Sequence, residues 1–286
     1  MVSGATRLCG IIGDPIEHTM SPVMHNAAFR KLGLDYVYVP FRVPKGEVEQ
    51  AIRGMRALNI RGLNVTIPHK TAVMPFLDEV DATAEKIGAV NTIVNDDGVL
   101  RGYNTDATGF LRALLERGID PEWKSVVVLG AGGASRAICS VLAERGSKVV
   151  ILNRSLERAR GLAGEVSASC GKEVRALALD GLNLARALGR AEVLVNATSV
   201  GMSPGVDESP VDASLLRPDL VVFDIVYSPL RTRLLREAGE GGAETIGGLD
   251  MLVWQGAMAL EKWVGVEAPV ETMRAEVARV MGEGEN

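Results

Sequence analysis

Cysteine is scarce: Cys9, Cys139 and Cys170 are the three, far apart and outside any C-x-x-C spacing. That excludes a disulfide framework or a cysteine zinc site and fits reduced, buried thiols in a cytoplasmic protein. Histidine is equally rare. Among His18, His25 and His69 no pair has the i, i+4 spacing of a helical metal site, so no metal is expected, and His18 and His69 read as structural or supporting groups. No uninterrupted apolar run approaches the roughly 20 residues of a membrane span. The opening MVSGATRLCGIIGDP has a single basic residue and too short an apolar stretch to read as a signal peptide. Net charge is −5, with Lys and Arg scattered rather than clustered, which leaves no electrostatic footprint for nucleic acid or an anionic membrane. Internal repeats, low-complexity stretches, a G-x-S-x-G elbow and a cysteine-nucleophile context are all missing. Small molecules are the partners left.

What is present is an ordinary soluble composition, 47% hydrophobic and 23% charged over 286 residues, enough for two domains with a core each. The stretch KSVVVLGAGGASRAICSVLAERGSKVVILNRS reads as strand, glycine turn, helix, strand. Its apolar run 126–129 suits a strand buried on both faces of a parallel sheet; the helix covers about 133–145 and the second strand 148–152. Further apolar runs at 191–195 and 220–225 alternate with helical segments near 156–167 and 230–240. This is the pattern of a doubly wound, Rossmann-type parallel sheet. Before it, RLCGIIGDP, YVYVPFRV, GLNVTIP and AVNTIV are strand candidates, with helices at about 22–32 and 45–58. The expected fold class is therefore α/β with two lobes.

Gly130, Ala131, Gly132, Gly133, Ala134 and Ser135 form GAGGAS, a G-x-G-x-x-G pattern with Ser in the third place. The first glycine permits a tight turn, the second lets backbone approach a pyrophosphate, and the helix N-terminus behind them favours negative charge. The preceding strand and following helix give the motif its required context. At the end of the second strand an NAD site usually offers Asp or Glu to the ribose. This chain has Asn153, Arg154 and Ser155, then Arg158. A guanidinium can bind a 2′-phosphate with two hydrogen bonds, so NADP is favoured.

In the first lobe, GDPIEHTMSPVMHNAAF sets Thr19 two residues before Ser21, with Pro22 after it. The two hydroxyls read either as a carboxylate clamp or, for Ser21, as a helix N-cap. RGLNVTIPHK carries Asn64, Thr66 and Lys70 out of a strand; the plainer reading is a strand with a polar solvent face and a surface lysine. Lys70 and Asp106, the acid of GYNTDATGF, could serve a carbonyl reduction, in which a proton donor or charge stabiliser is needed at oxygen. Asp106 also falls near the expected lobe junction, where clefts form. Its alternative reading is a helix N-cap.

Taken together, GDPIEHTMSPVMHNAAF, GLNVTIPHK, IGAVNTIV, GYNTDATGF, VLGAGGASRAI, NRS, NATSVGM, FDIVYSPLRTRLL and GGLDMLVWQGA closely resemble the shikimate dehydrogenase family, along nearly the whole chain. The resemblance implies an NADP-dependent reversible reduction of 3-dehydroshikimate to shikimate, with hydride passing across the cleft between lobes. It implies a substrate domain at 1–106, completed by C-terminal helices at 249–286, and an NADP domain at 107–248. Lys70 and Asp106 become the catalytic pair, whichever of them donates the proton. Thr19 and Ser21 become the carboxylate clamp, and Asn64, Thr66, Asn91, Asp106 and Gln255 the contacts to ring hydroxyls, with Tyr227 nearby. Asn64, Thr66 and Lys70 then form one wall of a polyol site at a strand edge. Residues 130–135, Asn153, Arg154, Ser155 and Arg158 would hold NADP, with Thr198, Ser199, Met202 and Gly248 around the nicotinamide end. Two positions depart from the family pattern: Thr19, where many members have serine, and Asp250, at a position often small. Quinate as substrate, a catalytically silent sensor of shikimate or NADP, and an unrelated small carbonyl substrate are the competing expectations; monomer and homodimer both stay open.

Overall fold

The computed structural model describes residues 2–284 of the chain. Strands and helices alternate from the start: β1 (Arg7–Gly13), α1 (Ser21–Leu32), β2 (Tyr36–Arg42), α2 (Val48–Ala57), β3 (Gly62–Val65), β4 (Glu79–Val80), α3 (Ala82–Ile87), β5 (Thr92–Asp96), β6 (Val99–Tyr103) and α4 (Asp106–Glu116). Then come β7 (Ser125–Leu129), α5 (Gly133–Glu144), β8 (Lys148–Asn153), α6 (Leu156–Cys170), β9 (Arg175–Ala178), α7 (Gly181–Leu188), β10 (Val193–Asn196), β11 (Val221–Asp224), α8 (Arg233–Glu240), β12 (Glu244–Ile246), α9 (Gly248–Val264) and α10 (Val270–Gly284). The chain divides into two units, one running up to Gly109 and resuming at Val253, the other Phe110–Leu252. Among the described residues no helix is long and apolar enough to cross a membrane.

The first unit is built on a mixed sheet of order β2-β1-β3-β5-β6-β4. β1 lies parallel to both β2 and β3, whereas β5 runs antiparallel between β3 and β6. Pro40 is tolerated because β2 is an edge strand. One face packs Ile12, Ile52, Met55, Leu63, Ile93 and Leu100 into a core. From β1 the chain turns to one side to make β2 and later returns on the other side as β3, so a topological switch point lies between β1 and β3. Loops at the carboxyl ends of strands flanking such a point are where open α/β sheets bind ligands. Those loops carry Thr19 and Ser21 after β1, and Thr66 and Lys70 after β3.

The second unit has the order β12-β11-β10-β7-β8-β9, with every pairing parallel. Apolar runs buried on both faces dictate this, and Val127, Leu129, Leu152, Leu194 and Val222 share its core. Its switch point lies between β7 and β10, whose following loops are GAGG and ATSV.

Several boundaries differ from the sequence reading for local reasons. The helix expected from 45 begins at Val48, because Pro44 O first accepts the Glu47 N–H (3.1 Å) in a turn. The helix expected from 230 begins at Arg233, since Thr232 is extended (φ −64°, ψ 163°) and caps the Leu235 N–H. α6 runs past 167 to Cys170 and stops where Gly171 turns left-handed (φ 64°). The strand β6 went unread although Asp97 and Gly98, both at positive φ (51° and 94°), make the tight turn that joins it to β5. β3 is an interior strand rather than a sheet edge, and Asn64 on it is 4% exposed, so a polar solvent face is not what this stretch provides.

Candidate functional site

Lys70 and Asp106 meet inside the first unit. Lys70 Nζ donates to Asp106 Oδ2 at 2.5 Å, with the two side chains 15% and 7% exposed. Backbone geometry brings them there: Lys70 O accepts the Val90 N–H (2.8 Å), tying the lysine to the strand that leads through Asn91. Asp106 is not the cap of α4. Asn104 Oδ1 accepts the N–H groups of Asp106 (3.1 Å) and Ala107 (3.3 Å), leaving the Asp106 carboxylate for the lysine. Its other oxygen accepts from Asn91 Nδ2 at 2.9 Å, and the same amide contacts Thr105 Oγ1 (3.0 Å) and Gln255 Oε1 (3.5 Å). Gln255 reaches this group because Gly109 lets α9 come close: a Cβ at Gly109 would lie 2.8 Å from the Gln255 nitrogen. The result is a charged pair oriented by amides, at a place mostly shielded from water.

Asn64 lies on the same sheet, its Nδ2 directed to Asn91 O (3.3 Å) and Thr92 Oγ1 (3.2 Å). Thr66, half-buried one residue past β3, packs its methyl against Gly13, where a Cβ would come within 2.4 Å. The Ser21 capping interpretation fails. α1 begins with Ser21 itself, Met20 at the cap position makes no side-chain bond, and the Ser21 N–H is accepted by Thr19 Oγ1 at 3.3 Å. The two hydroxyls are 3.2 Å apart, a pair of donors beside a helix N-terminus, suited to an anion. His69 is buried with Nε2 2.7 Å from Val43 O, a structural contact, while His18 is exposed. Burial pushes the Cys9 thiol up to about 12, so it is no nucleophile. Among the described residues no cluster of three or more His, Cys, Asp or Glu is placed to hold a metal ion.

The second unit carries the dinucleotide features. Gly130 has φ 104°, and a Cβ there would approach Ala197 O to 2.8 Å, so the loops after β7 and β10 touch through backbone. At Gly132 a Cβ would meet nothing within 4 Å, which is room for a ligand group against the backbone. α5 starts at Gly133 without a side-chain N-cap, so its first N–H groups face outward. Ser135 is fully buried, its hydroxyl accepting the Gly132 N–H (3.3 Å), and serves the turn itself. Asn153 donates to Ser155 O (2.9 Å), and Ser155 caps α6 by accepting the Arg158 N–H (3.4 Å). Arg154 and Arg158 are exposed, and neither is ion-paired among the described residues. These residues fit a dinucleotide carrying an extra phosphate.

Thr198 is held by Asn196 Oδ1, which accepts both its N–H (3.1 Å) and its hydroxyl (2.7 Å). Ser199 and Met202 are exposed beside it. Gly248 has no space for a side chain, since a Cβ would fall 2.2 Å from Ile225 O. Tyr227 is half-buried, and burial raises its phenol. Asp250 is 7% exposed and receives Arg117 Nη2 at 3.2 Å, a partner that accounts for an acid at this position. Sequence reasoning passed over Tyr38, Asn104, Thr105 and Asp224, all buried and all bonded to these site groups or to their loops. Only Asn104, two residues before Asp106, carried a readable capping signal.

The chain matches the family profile "Shikimate dehydrogenase substrate binding domain" over residues 11–93, "Shikimate / quinate 5-dehydrogenase" over 115–227 and "Shikimate 5'-dehydrogenase C-terminal domain" over 248–278. It is 52% identical to the shikimate dehydrogenase (NADP+) of Methanopyrus kandleri, over 96% of each chain. It belongs to the shikimate dehydrogenase family. Among solved structures it is similar to a shikimate dehydrogenase in complex with NADP+ (44% identity, TM-score 0.93, 98% of each chain). It is also similar to the shikimate 5-dehydrogenase of Thermus thermophilus in complex with NADP(H) and shikimate (39% identity, TM-score 0.86, 96% of this chain and 99% of that one).

Proposed function

We propose that the chain catalyses the reversible, NADP-dependent reduction of 3-dehydroshikimate to shikimate in aromatic amino acid biosynthesis. The observation that carries this is the largely buried Lys70–Asp106 pair at 2.5 Å, oriented by Asn91 beside a switch point of the sheet, in a chain of this family. A lysine held this way puts positive charge where a carbonyl oxygen becomes an oxyanion. The Lys70–Asp106 pair supplies the proton that completes the hydroxyl and takes it back in the oxidative direction. Bound NADPH supplies the hydride.

The substrate domain is 1–106 completed by 249–286, close to the bounds of the first unit. In it Thr19 and Ser21 hold the ring carboxylate, and Asn64, Thr66, Asn91, Asp106 and Gln255 meet ring hydroxyls. The NADP domain is 107–248, with residues 130–135 at the pyrophosphate and Asn153, Arg154, Ser155 and Arg158 at the adenosine 2′-phosphate. Thr198, Ser199, Met202 and Gly248 surround the nicotinamide, and Tyr227 is the residue of this unit assigned to the substrate. Free thiols at Cys9, Cys139 and Cys170 suit a reducing, cytoplasmic compartment.

The test is the initial rate of NADP reduction with shikimate and with quinate, repeated with NAD and with Lys70→Ala. Shikimate with NADP is expected to turn over fastest. The variant is expected to lose about 10²–10⁴ in kcat with KM for shikimate changed only a few-fold, because the lost interaction belongs to the transition state. An unchanged kcat removes Lys70 from the chemistry. A folded protein that binds NADP and turns over neither polyol is a sensor, or acts on another carbonyl compound.

A further inference from the structure

Tyr38 is not among the residues assigned to substrate or cofactor, yet it bonds one that is. It lies on β2, 1% exposed, and reaches across β1 so that its phenol O–H donates to Asn64 Oδ1 at 2.7 Å. Burial lifts the phenol well above its ordinary range, so it stays protonated and keeps the proton that it donates to Asn64 Oδ1. Its backbone is fixed as well. The Asn26 side chain accepts the Tyr38 N–H (2.9 Å) and donates to Tyr38 O (2.8 Å), pinning β2 to α1. The ring stacks on His25 with centroids 4.4 Å apart. Burial lowers that imidazole to about 3, which leaves it neutral, so the stack adds no charge beside the phenol.

The bonds at the two ends of the Asn64 amide are unequal. Its oxygen is held by the 2.7 Å bond from Tyr38, while its NH2 group makes contacts of 3.2 and 3.3 Å. The oxygen end is anchored and the nitrogen end is the one that can be redirected. We infer that Tyr38 is a positioning residue of the polyol site, holding the Asn64 amide with its oxygen tied down and its NH2 presented to a substrate hydroxyl. This rests on the assignment of Asn64 to the ring hydroxyls. It adds a polarity to that contact: the hydroxyl meeting Asn64 is an acceptor there and passes its own hydrogen to another partner. A flipped amide would present the opposite polarity, with the phenol oxygen accepting from the NH2 group and its own hydrogen losing the Asn64 acceptor.

The experiment is steady-state kinetics on the full chain, as wild type, Tyr38→Phe, Asn64→Ala and the double variant. Phenylalanine fills the same space and removes one oxygen. Tyr38→Phe is expected to raise KM for shikimate about tenfold, the usual cost of leaving a buried acceptor unpaired, with KM for NADP changed by less than about twofold. Because Tyr38 acts through Asn64, adding Tyr38→Phe to Asn64→Ala is expected to change nothing further. The proposal is overturned by a KM for shikimate that stays within about twofold of wild type, or by an equal rise in KM for NADP. An undiminished effect in the Asn64→Ala background also overturns it. A wild-type protein inert toward shikimate and NADP overturns the functional reading itself, and the role of Tyr38 in it, whereas active wild type with an indifferent Tyr38→Phe overturns the positioning role alone.

Discussion

At the scale of single residues, the proposed preference for NADP turns on the side chains at and just past the end of β8. Asn153 spends its amide on Ser155 O (2.9 Å), and no acid stands there to hold a ribose 2′-hydroxyl. Arg154 is exposed and is not ion-paired among the described residues, so its guanidinium is available to a phosphate. Arg154→Ala is expected to lower kcat/KM for NADP by about 10- to 100-fold, the worth of charge-assisted hydrogen bonds, while NAD changes only a few-fold. Comparing kcat/KM for the two cofactors checks this; equal losses with both would place Arg154 outside the discriminating contact. Such residues stood out in the sequence as candidates because their chemistry is carried by side-chain type at a fixed distance from a glycine motif. The candidate pair Lys70 and Asp106 stood out for another reason, that an amine and an acid are the side-chain types a carbonyl reduction calls for. Which of Asn104 and Asp106 caps α4 was not legible, since both are good cap residues and the choice depends on where the backbone turns. Tyr38 was hidden for a different reason: in YVYVPFR it looks like any aromatic on a strand, and its target lies two strands away.

At the scale of elements, Asp224 joins the ends of β10 and β11. It is fully buried, and its carboxylate accepts from Asn196 Nδ2 (2.9 Å), the Val226 N–H (3.1 Å) and Thr232 Oγ1 (2.7 Å). Asn196 in turn fixes Thr198, so one acid sets both the ATSV loop and the segment leading to Tyr227. Burial raises this carboxyl to about 6 despite its three donors. An acid with a raised folded pKa binds more protons in the native state than in the unfolded state between about pH 4 and its folded value, so stability falls as pH rises through that window. Asp224→Asn removes this slope. The stability difference between wild type and variant is expected to move in the variant's favour by on the order of 2–3 kcal/mol from pH 4 to pH 7. Denaturant unfolding at the two pH values measures it, and parallel pH dependence of the two proteins would show that Asp224 ionises normally. The strands themselves were readable as apolar runs. The carboxylate at their end was not, because a lone Asp after an apolar run reads as a turn residue, and only the parallel pairing of β10 with β11 brings Asn196 beside it.

At the scale of the whole chain, the first unit is assembled from two distant stretches. It runs to Gly109 and resumes at Val253, and Trp263 on α9 shows how much depends on the second stretch. Trp263 is 1% exposed, its Nε1 donates to Ile93 O (3.0 Å), and its carbonyl accepts from Arg61 Nε (2.7 Å). Gly62 makes room for the indole, since a Cβ there would fall 2.1 Å from Nε1. No local pattern in GLNVTIPHK announces a tryptophan far along the chain, so the motif offered a candidate site wall without the indole packed beneath it. Trp263→Ala leaves a large cavity and removes the indole's hydrogen bond to the strand, a loss of about 3–5 kcal/mol. The second unit is a continuous stretch with its own core, so the loss belongs to the first unit. Calorimetry of the variant is therefore expected to show an early transition that abolishes shikimate turnover, followed by a later one that NADP still shifts upward. A single transition, with turnover lost only as NADP binding is lost, would mean that the two units unfold together and that the loss of Trp263 is felt by both.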